Sequence, residues 1–304
     1  MIKSVIDIGT NSTRLLVVEK KDHSFKELLR RTTITRLGED LNRTGEIKIQ
    51  AAERTSSVIN DYRKLAESMG SESFAAFATQ ALREAKNASQ ILDLFEARTG
   101  IRPRILTGEE EAICSFLGAI LDLIQDRKQR MVIDIGGGST EIAVGVERPE
   151  FSVSTTLGSV RLMEIFGLER AADTEKISKV RSFILTTLKD YLKNNELNIQ
   201  ETVFVGGTAT TIAAIALGLR QYDRNKVHLS RLKSDVVEQI AIELALLDST
   251  QRSKYSVIEK ERLEVISAGA LIMLSVLDYF GLSKVIVSEK DILDGYLLYE
   301  NWNP

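Results

Sequence analysis

Two twelve-residue segments carry the residue types that grip phosphate. Residues 7–18 read DIGTNSTRLLVV and residues 134–145 read DIGGGSTEIAVG, with Asp, Ile, Gly, Ser, Thr and one Val shared in register. Glycine and small hydroxyl residues let backbone N–H groups converge on one concavity, a nest that binds phosphate oxygens. Ser and Thr add hydroxyl donors. Gly9, Thr10, Asn11 and Ser12 make the first such loop, and Gly136, Gly137, Gly138, Ser139 and Thr140 make the second. The aspartate ahead of each loop, Asp7 and Asp134, cannot donate to phosphate when ionised, but it can hold a divalent cation or orient a water. Gly-rich hairpins are also plain tight turns, a reading that suits one loop better than a matched pair. Gly206, Gly207 and Thr208 open a helix and add N–H donors at its N-terminus. Glu109, Glu110 and Glu111 stand in a row. Beside a phosphate site their charges raise a carboxyl pKa towards use as a base. The competing role is to favour a helix N-terminus.

The elements that must hold these loops read as strand, turn, strand. Apolar runs at 4–8 and 15–18 flank the first loop, and runs at 131–135 and 141–146 flank the second. Further strands are predicted at 73–78, 103–106, 151–156, 202–205 and 285–288. Helices are predicted at 47–69, 87–100, from 107 to about 125, soon after Gly158, at 174–194, at about 209–217, and over much of 234–280. Thr79 is placed to cap a helix whose first turn contains Arg83. The helix dipole disfavours a cation there, so an anionic ligand explains Arg83 better. Strand-rich then helix-rich material occurs twice, which points to an α/β fold with two related halves.

Composition removes several classes. The chain has 304 residues, enough for about two domains. It is 43% hydrophobic and 27% charged, so disorder is excluded. The longest apolar stretch, 265–277, is too short for a span of about 20 residues and reads as a buried helix. No signal-peptide layout opens the chain, so no membrane partner is expected. Net charge is −3 and the pI is about 5.7, which argues against nucleic-acid binding through the whole surface and leaves room for a local basic groove. The single cysteine, Cys114, allows no intrachain disulfide and fits a reducing, cytoplasmic setting. His23 and His228 lack motif context and read as surface residues.

In chain order the segments DIGTNSTRLLV, ATQALREAKN (78–87), TGEEEA (107–112), VIDIGGGSTE (132–141), LGSVRL (157–162) and VGGTATT (205–211) resemble the exopolyphosphatase and guanosine pentaphosphate phosphohydrolase family. The resemblance runs from residue 5 to about residue 298. It implies the actin-like ATPase (ASKHA) fold, an α/β duplication of two ribonuclease-H-like lobes with the active site in the cleft between them. The N-terminal lobe would take residues 1–123 plus about 296–304, and the C-terminal lobe residues 124–295.

The same resemblance implies hydrolysis of a terminal phosphoanhydride. Glu111 matches the family's proposed catalytic base. Asp134 and Glu141 fall near the metal and the attacking water, with Asp7 as the first-lobe counterpart among the metal ligands. Arg14, Arg83 and Arg161 join the phosphate-binding set. Mg²⁺ or another divalent cation is the implied cofactor, and a homodimer the implied assembly. The expected substrate is inorganic polyphosphate, with guanosine pentaphosphate (pppGpp) as the alternative. An actin-like ATPase or kinase, or a non-catalytic polyphosphate or alarmone sensor, ranks lower. The sequence departs from the family pattern at Leu263 and Glu264, after Arg262, and at Leu293, before Asp294 and Gly295. These departures are expected to lie away from the phosphate loops.

Overall fold

The computed structural model describes residues 1–21, 24–192 and 198–300. His23, the end of the helix predicted at 174–194 and the last residues of the 296–304 segment lie outside the described residues. Contacts gather into two units, Met1–Glu110 and a second beginning at Glu111. No described helix is long and apolar enough to cross a membrane.

The first unit contains β1 (Ile2–Ile8), β2 (Ser12–Lys21), β3 (Ser24–Ile34), α1 (Leu41–Thr44), α2 (Ile49–Ser68), β4 (Ser73–Ala78), α3 (Gln80–Glu84), α4 (Ala88–Thr99) and β5 (Arg104–Ile105). From it α5 (Gly108–Ala119) runs into the second unit. There follow β6 (Arg130–Ile135), β7 (Thr140–Gly145), β8 (Pro149–Thr155), α6 (Ser159–Phe166), α7 (Thr174–Leu192), β9 (Glu201–Val205) and α8 (Gly206–Ala216). The chain continues through α9 (Arg224–Val227), β10 (Ser230–Lys233), α10 (Ser234–Leu246), α11 (Ile266–Phe280), β11 (Lys284–Val287) and α12 (Ile292–Glu300).

The two sheets have one plan. The first is ordered β3-β2-β1-β4-β5, and the second is β8-β7-β6-β9-β11 with β10 added at the edge. Strands β1, β2 and β3 pair antiparallel, and β4 joins β1 in parallel. Strands β6, β7 and β8 repeat this, with β9 parallel to β6. Correspondence reaches single residues. Asp7 pairs with Arg14 and Ile8 with Thr13, as Asp134 pairs with Glu141 and Ile135 with Thr140. Register shifts fall between Val17 and Val18 and, in the second copy, between Val144 and Gly145. A bulge strengthens local twist and bends its strand, so both hairpins curve at matching places.

Burial explains why β6 reads as a continuous apolar run around one acid. It is covered on both faces, as central strands of such sheets are. Alternation splits its side chains. Met131, Ile133 and Ile135 join the core made with α7, α8, α10 and α11. Val132 lies on the other face with Ala143, Val203, Val205 and Ile286, against Ala112, Phe116, Ala119 and Ile120 of α5 and its end. Asp134 and Glu141 fall on this α5 side by the same period of two. The first unit repeats the plan, packing Ile6, Ile8, Leu15 and Val17 against Ala52 and Ile59 of α2 and Phe95 of α4.

Several elements escape the sequence reading, the four-residue helix α1 among them. Helix α9 and edge strand β10 are four residues each, too short for a periodic apolar pattern. Helix α12 contains Gly295, which reads as a breaker. Here the glycine marks a close approach: a methyl group on Gly295 would overlap the Cys114 carbonyl of α5, and one on Gly118 would overlap the Asp291 carbonyl. The α12 N-terminus is fixed by Asp291 and Asp294. The Leu293 N–H donates to Asp291 Oδ1 at 3.0 Å and the Asp291 N–H to Asp294 Oδ2 at 3.0 Å, a reciprocal cap. Leu293, one of the departures, is fully buried. Helix α5 ends at Ala119, short of the predicted 125, and the chain turns through 121–126.

Gly295→Ala is expected to force α12 off α5 and to cost about 3 kcal/mol, the upper range of overpacking. A urea melt of the purified variant measures it, and a midpoint equal to wild type would show that the helices separate without cost.

Candidate active site

The three consecutive glutamates do three different things. Glu109 is exposed. Glu110 caps α5: its Oε2 accepts the Thr107 N–H at 2.9 Å while its own N–H donates to Thr107 Oγ1 at 3.1 Å, a capping box. Arg104 pairs with Glu110 as well. Glu111 is buried. The helix-terminus reading therefore holds for Glu110, while Glu111 enters the acid cluster of the second unit.

That cluster is built by register. Asp134 on β6 and Glu141 on β7 stand directly opposite each other, and both are buried. Ser115, one helical turn beyond Glu111, donates its hydroxyl to Asp134 Oδ2 at 2.6 Å. Ser154 of β8 donates to Glu141 Oε1 at 2.7 Å. Burial pushes the Glu141 carboxyl well above its ordinary value of 4.5, and the charges of Glu111 and Asp134 push it further. The Ser154 and Ser139 hydroxyls oppose the shift. Carboxylates crowded in this way are relieved by a proton or by a cation.

The second loop is pinned through its carbonyls. The Gly136 N–H donates to the Ser139 carbonyl at 2.9 Å, closing the turn. The N–H groups of Ser159 and Val160 donate to the Gly136 and Gly137 carbonyls at 3.0 and 2.8 Å, and the Arg161 N–H reaches the Gly137 carbonyl at 3.2 Å. Thr140 Oγ1 donates to the Leu157 carbonyl at 2.6 Å. A side chain on Gly158 would overlap the Gly137–Gly138 backbone. The N–H groups of Gly137, Gly138 and Ser139 donate to none of the described residues. These are the donors a nest offers to phosphate. Arg161 stands in the first turn of α6, where the dipole disfavours a cation.

The dipole argument made for Arg83 is overturned. Its helix, α3, is only five residues long, and Arg83 sits in the last turn, where a cation is favoured. Its Nη1 donates to the Leu106 carbonyl at 2.9 Å. Thr79 makes no side-chain cap.

Helix α8 begins at Gly206, earlier than the sequence suggested. Gly206 has φ +85°, and a Cβ there would come within 2.8 Å of Asp134 Oδ1. Only glycine meets both conditions without strain. The Arg262 guanidinium lies against Gly207, held by Glu259 at 2.6 Å. Arg262, which keeps the family pattern, thus borders the α8 N-terminus. Leu263 and Glu264 line a cavity of about 530 Å³ with Ser249, Ser253 and Tyr255. The Thr208 side chain packs against Gly269 of α11.

The first loop closes in the same way, with the Gly9 N–H donating to the Ser12 carbonyl at 2.9 Å. A collar after β3 holds its carbonyls. Thr35 and Arg36 N–H groups donate to Asn11, and the Gly38 N–H to Thr10. Thr10 Oγ1 donates to Gln80 Oε1 at 2.8 Å. Asp7 and Arg14, expected to bind metal and phosphate, form an ion pair with each other at 2.6 Å, the aspartate buried and the arginine partly so.

Among the described residues no three or more His, Cys, Asp or Glu side chains are arranged to hold a metal. The donor chemistry still suits Mg²⁺, which takes one or two carboxylates and fills its other positions with water and substrate phosphate. Asp134 and Glu141 supply two buried oxygen donors beside a phosphate-type loop. His228 is not an isolated surface residue: its Nε2 lies 2.9 Å from Asp122, and its Nδ1 accepts the Glu289 N–H at 3.1 Å. Cys114 is buried.

A duplicated ribonuclease-H-like α/β fold, with matched Gly–Ser turns and a buried acid cluster in its second copy, defines an actin-like phosphate-handling protein. The chain belongs to the Ppx/GppA phosphatase family, whose description matches residues 16–301. It is 31% identical to exopolyphosphatase 2 of Mycobacterium tuberculosis over 97% of both chains. It is 34% identical to the bifunctional 3-dehydroquinate synthase/phosphatase of Fusobacterium nucleatum subsp. nucleatum, covering 98% of this chain and 46% of that protein, about half its length. The crystal structure of the Aquifex aeolicus Ppx/GppA family member superposes with a TM-score of 0.83 at 30% identity, covering 99% of this chain and 97% of that one. An exopolyphosphatase-like protein superposes at 0.91 with 26% identity over 98% of both chains.

A raised carboxyl pKa carries a sign. Protonated Glu141 stabilises the fold below its ordinary value of 4.5, and that contribution is lost as pH rises through the raised value. Glu141→Gln without added cation is expected to melt about 2–4 °C higher than wild type at pH 8, the shift that about 1 kcal/mol gives, and no higher at pH 4. Differential scanning fluorimetry across pH checks this; an equal or lower melting temperature at pH 8 would mean the cluster is not repulsive.

Proposed function

We propose that this protein hydrolyses the terminal phosphoanhydride of inorganic polyphosphate and releases orthophosphate. The observation that carries the reading is the buried cluster of Glu111, Asp134 and Glu141 beside the 136–140 loop, supported by the exopolyphosphatase name of the Mycobacterium tuberculosis relative. Glu111 takes a proton from the attacking water. The water's oxygen bonds the end phosphorus, and the bridging P–O bond breaks. The shortened polyphosphate leaves with the bridging oxygen and its electron pair. N–H groups of Gly137, Gly138 and Ser139, with Arg161, hold the transferred phosphoryl group, and the α8 N-terminus at Gly206, Gly207 and Thr208 holds the next phosphate. Asp134 and Glu141 would hold Mg²⁺ or another divalent cation, which neutralises charge on the reacting phosphate. Gly9, Thr10, Asn11 and Ser12 serve a further phosphate of the chain. A homodimer, a cytoplasmic setting and a lobe boundary at 123/124 belong to the same reading.

The test is phosphate release from long-chain polyphosphate, pppGpp and ATP in parallel, with and without Mg²⁺. Polyphosphate turnover is expected to exceed the other two and to fall at least about 100-fold in Glu111→Gln, while Glu110→Gln, altered only at the helix cap, keeps wild-type turnover. Faster release from pppGpp would make the protein a nucleotide phosphohydrolase with the same machinery. Faster release from ATP would make it an ATPase, and tight binding without release would make it a sensor.

A further inference from the structure

A serine in a helix usually satisfies its hydroxyl on its own backbone, three or four residues back. Thr99, Thr187 and Thr211 do so here, donating to the carbonyls of Phe95, Phe183 and Gly207. Ser115 does not. Its hydroxyl crosses from α5 to β6 and donates to Asp134 Oδ2 at 2.6 Å, with both side chains buried. The other carboxylate oxygen, Oδ1, faces Gly206 so closely that a methyl group there would stand 2.8 Å away. One Asp134 oxygen is thus held by a donor on α5, while the other stands close against the first residue of α8. Its cross-strand neighbour is Glu141.

Ser115 also lies one turn from Glu111 on the same helix face, since positions four apart are neighbours. One rigid element thus places the glutamate of the cluster and, through Ser115, orients the aspartate. We propose that Ser115 is a positioning residue that presents Asp134 to the divalent cation and locks that site to Glu111. This rests on the reading of Asp134 as a cation ligand. Residues that orient ligands typically set metal affinity by about 10–100-fold.

The test measures cation binding directly, on the full chain without substrate, by calorimetric titration with Mn²⁺ and Mg²⁺. Ser115→Ala is expected to weaken binding about 10–100-fold, to raise the Mg²⁺ concentration for half-maximal turnover to match, and to leave the KM for polyphosphate at saturating Mg²⁺ unchanged. Ser115→Thr, which keeps the hydroxyl, restores cation affinity. Ser267→Ala is the control: Ser267 is equally buried on α11 and donates to the Leu168 carbonyl at 2.9 Å. It loses stability but binds the cation as wild type does. Wild-type affinity in Ser115→Ala, the same loss in Ser267→Ala, or a wild-type chain that takes up neither cation would each overturn the proposal. A wild-type chain that binds Mg²⁺ in a Ser115-dependent way yet hydrolyses none of the three phosphoanhydrides would sink the hydrolase and leave the role of Ser115 standing.

Discussion

The second unit is organised around a repulsion. Asp134 and Glu141 face each other across two buried strands, and Glu111 adds a third buried carboxylate. Burying like charges is costly unless something compensates. The surrounding elements each contribute: Ser115 from α5, Ser154 from β8, Ser139 from the loop, and room for the Asp134 oxygen at Gly206. Perturbed, buried carboxylates of this kind gather at functional sites, which is why the proposed hydrolysis is placed here.

The first unit shows what the same turn does without that task. Its strands, register, bulge and Gly–Ser closure match those of the second. The residue across from the aspartate differs in kind. Arg14 stands where the second copy has Glu141, and it pairs with Asp7 at 2.6 Å. A directly paired aspartate and arginine compensate each other's charge. One backbone device thus serves as an ion-paired support in one copy and as an acid cluster in the other.

Close backbone approaches set the positions of the helices that bear the site. Gly118 and Gly295 let α5 and α12 cross in contact, Gly158 lets α6 meet the phosphate loop, and Gly206 lets α8 start against Asp134. At each place even one methyl group would collide. The arrangement is rigid because α5 is also seated on the sheet through Ala112, Phe116 and Ala119, which fixes the direction of Glu111 and Ser115.

The amino-acid sequence by itself determined the duplication, the α/β class, the two loops and the family, because these depend on local chemistry: alternating apolar strands, glycine turns and short motifs repeated in register. It also singled out Asp134, Glu141 and Glu111. Only the family resemblance separated Glu111 from Glu110, since adjacent residues on a helix differ only in which way they point, and a capping box shows itself only once Thr107 is in place. The sequence misplaced Arg83 because a five-residue helix has no periodic signal, and it missed α12 because a glycine that allows contact looks the same as one that ends a helix. Ser115 carried no signal at all. Its partner lies on another element, and only tertiary packing, which brings α5 down on β6, turns an ordinary helical serine into the donor that holds Asp134.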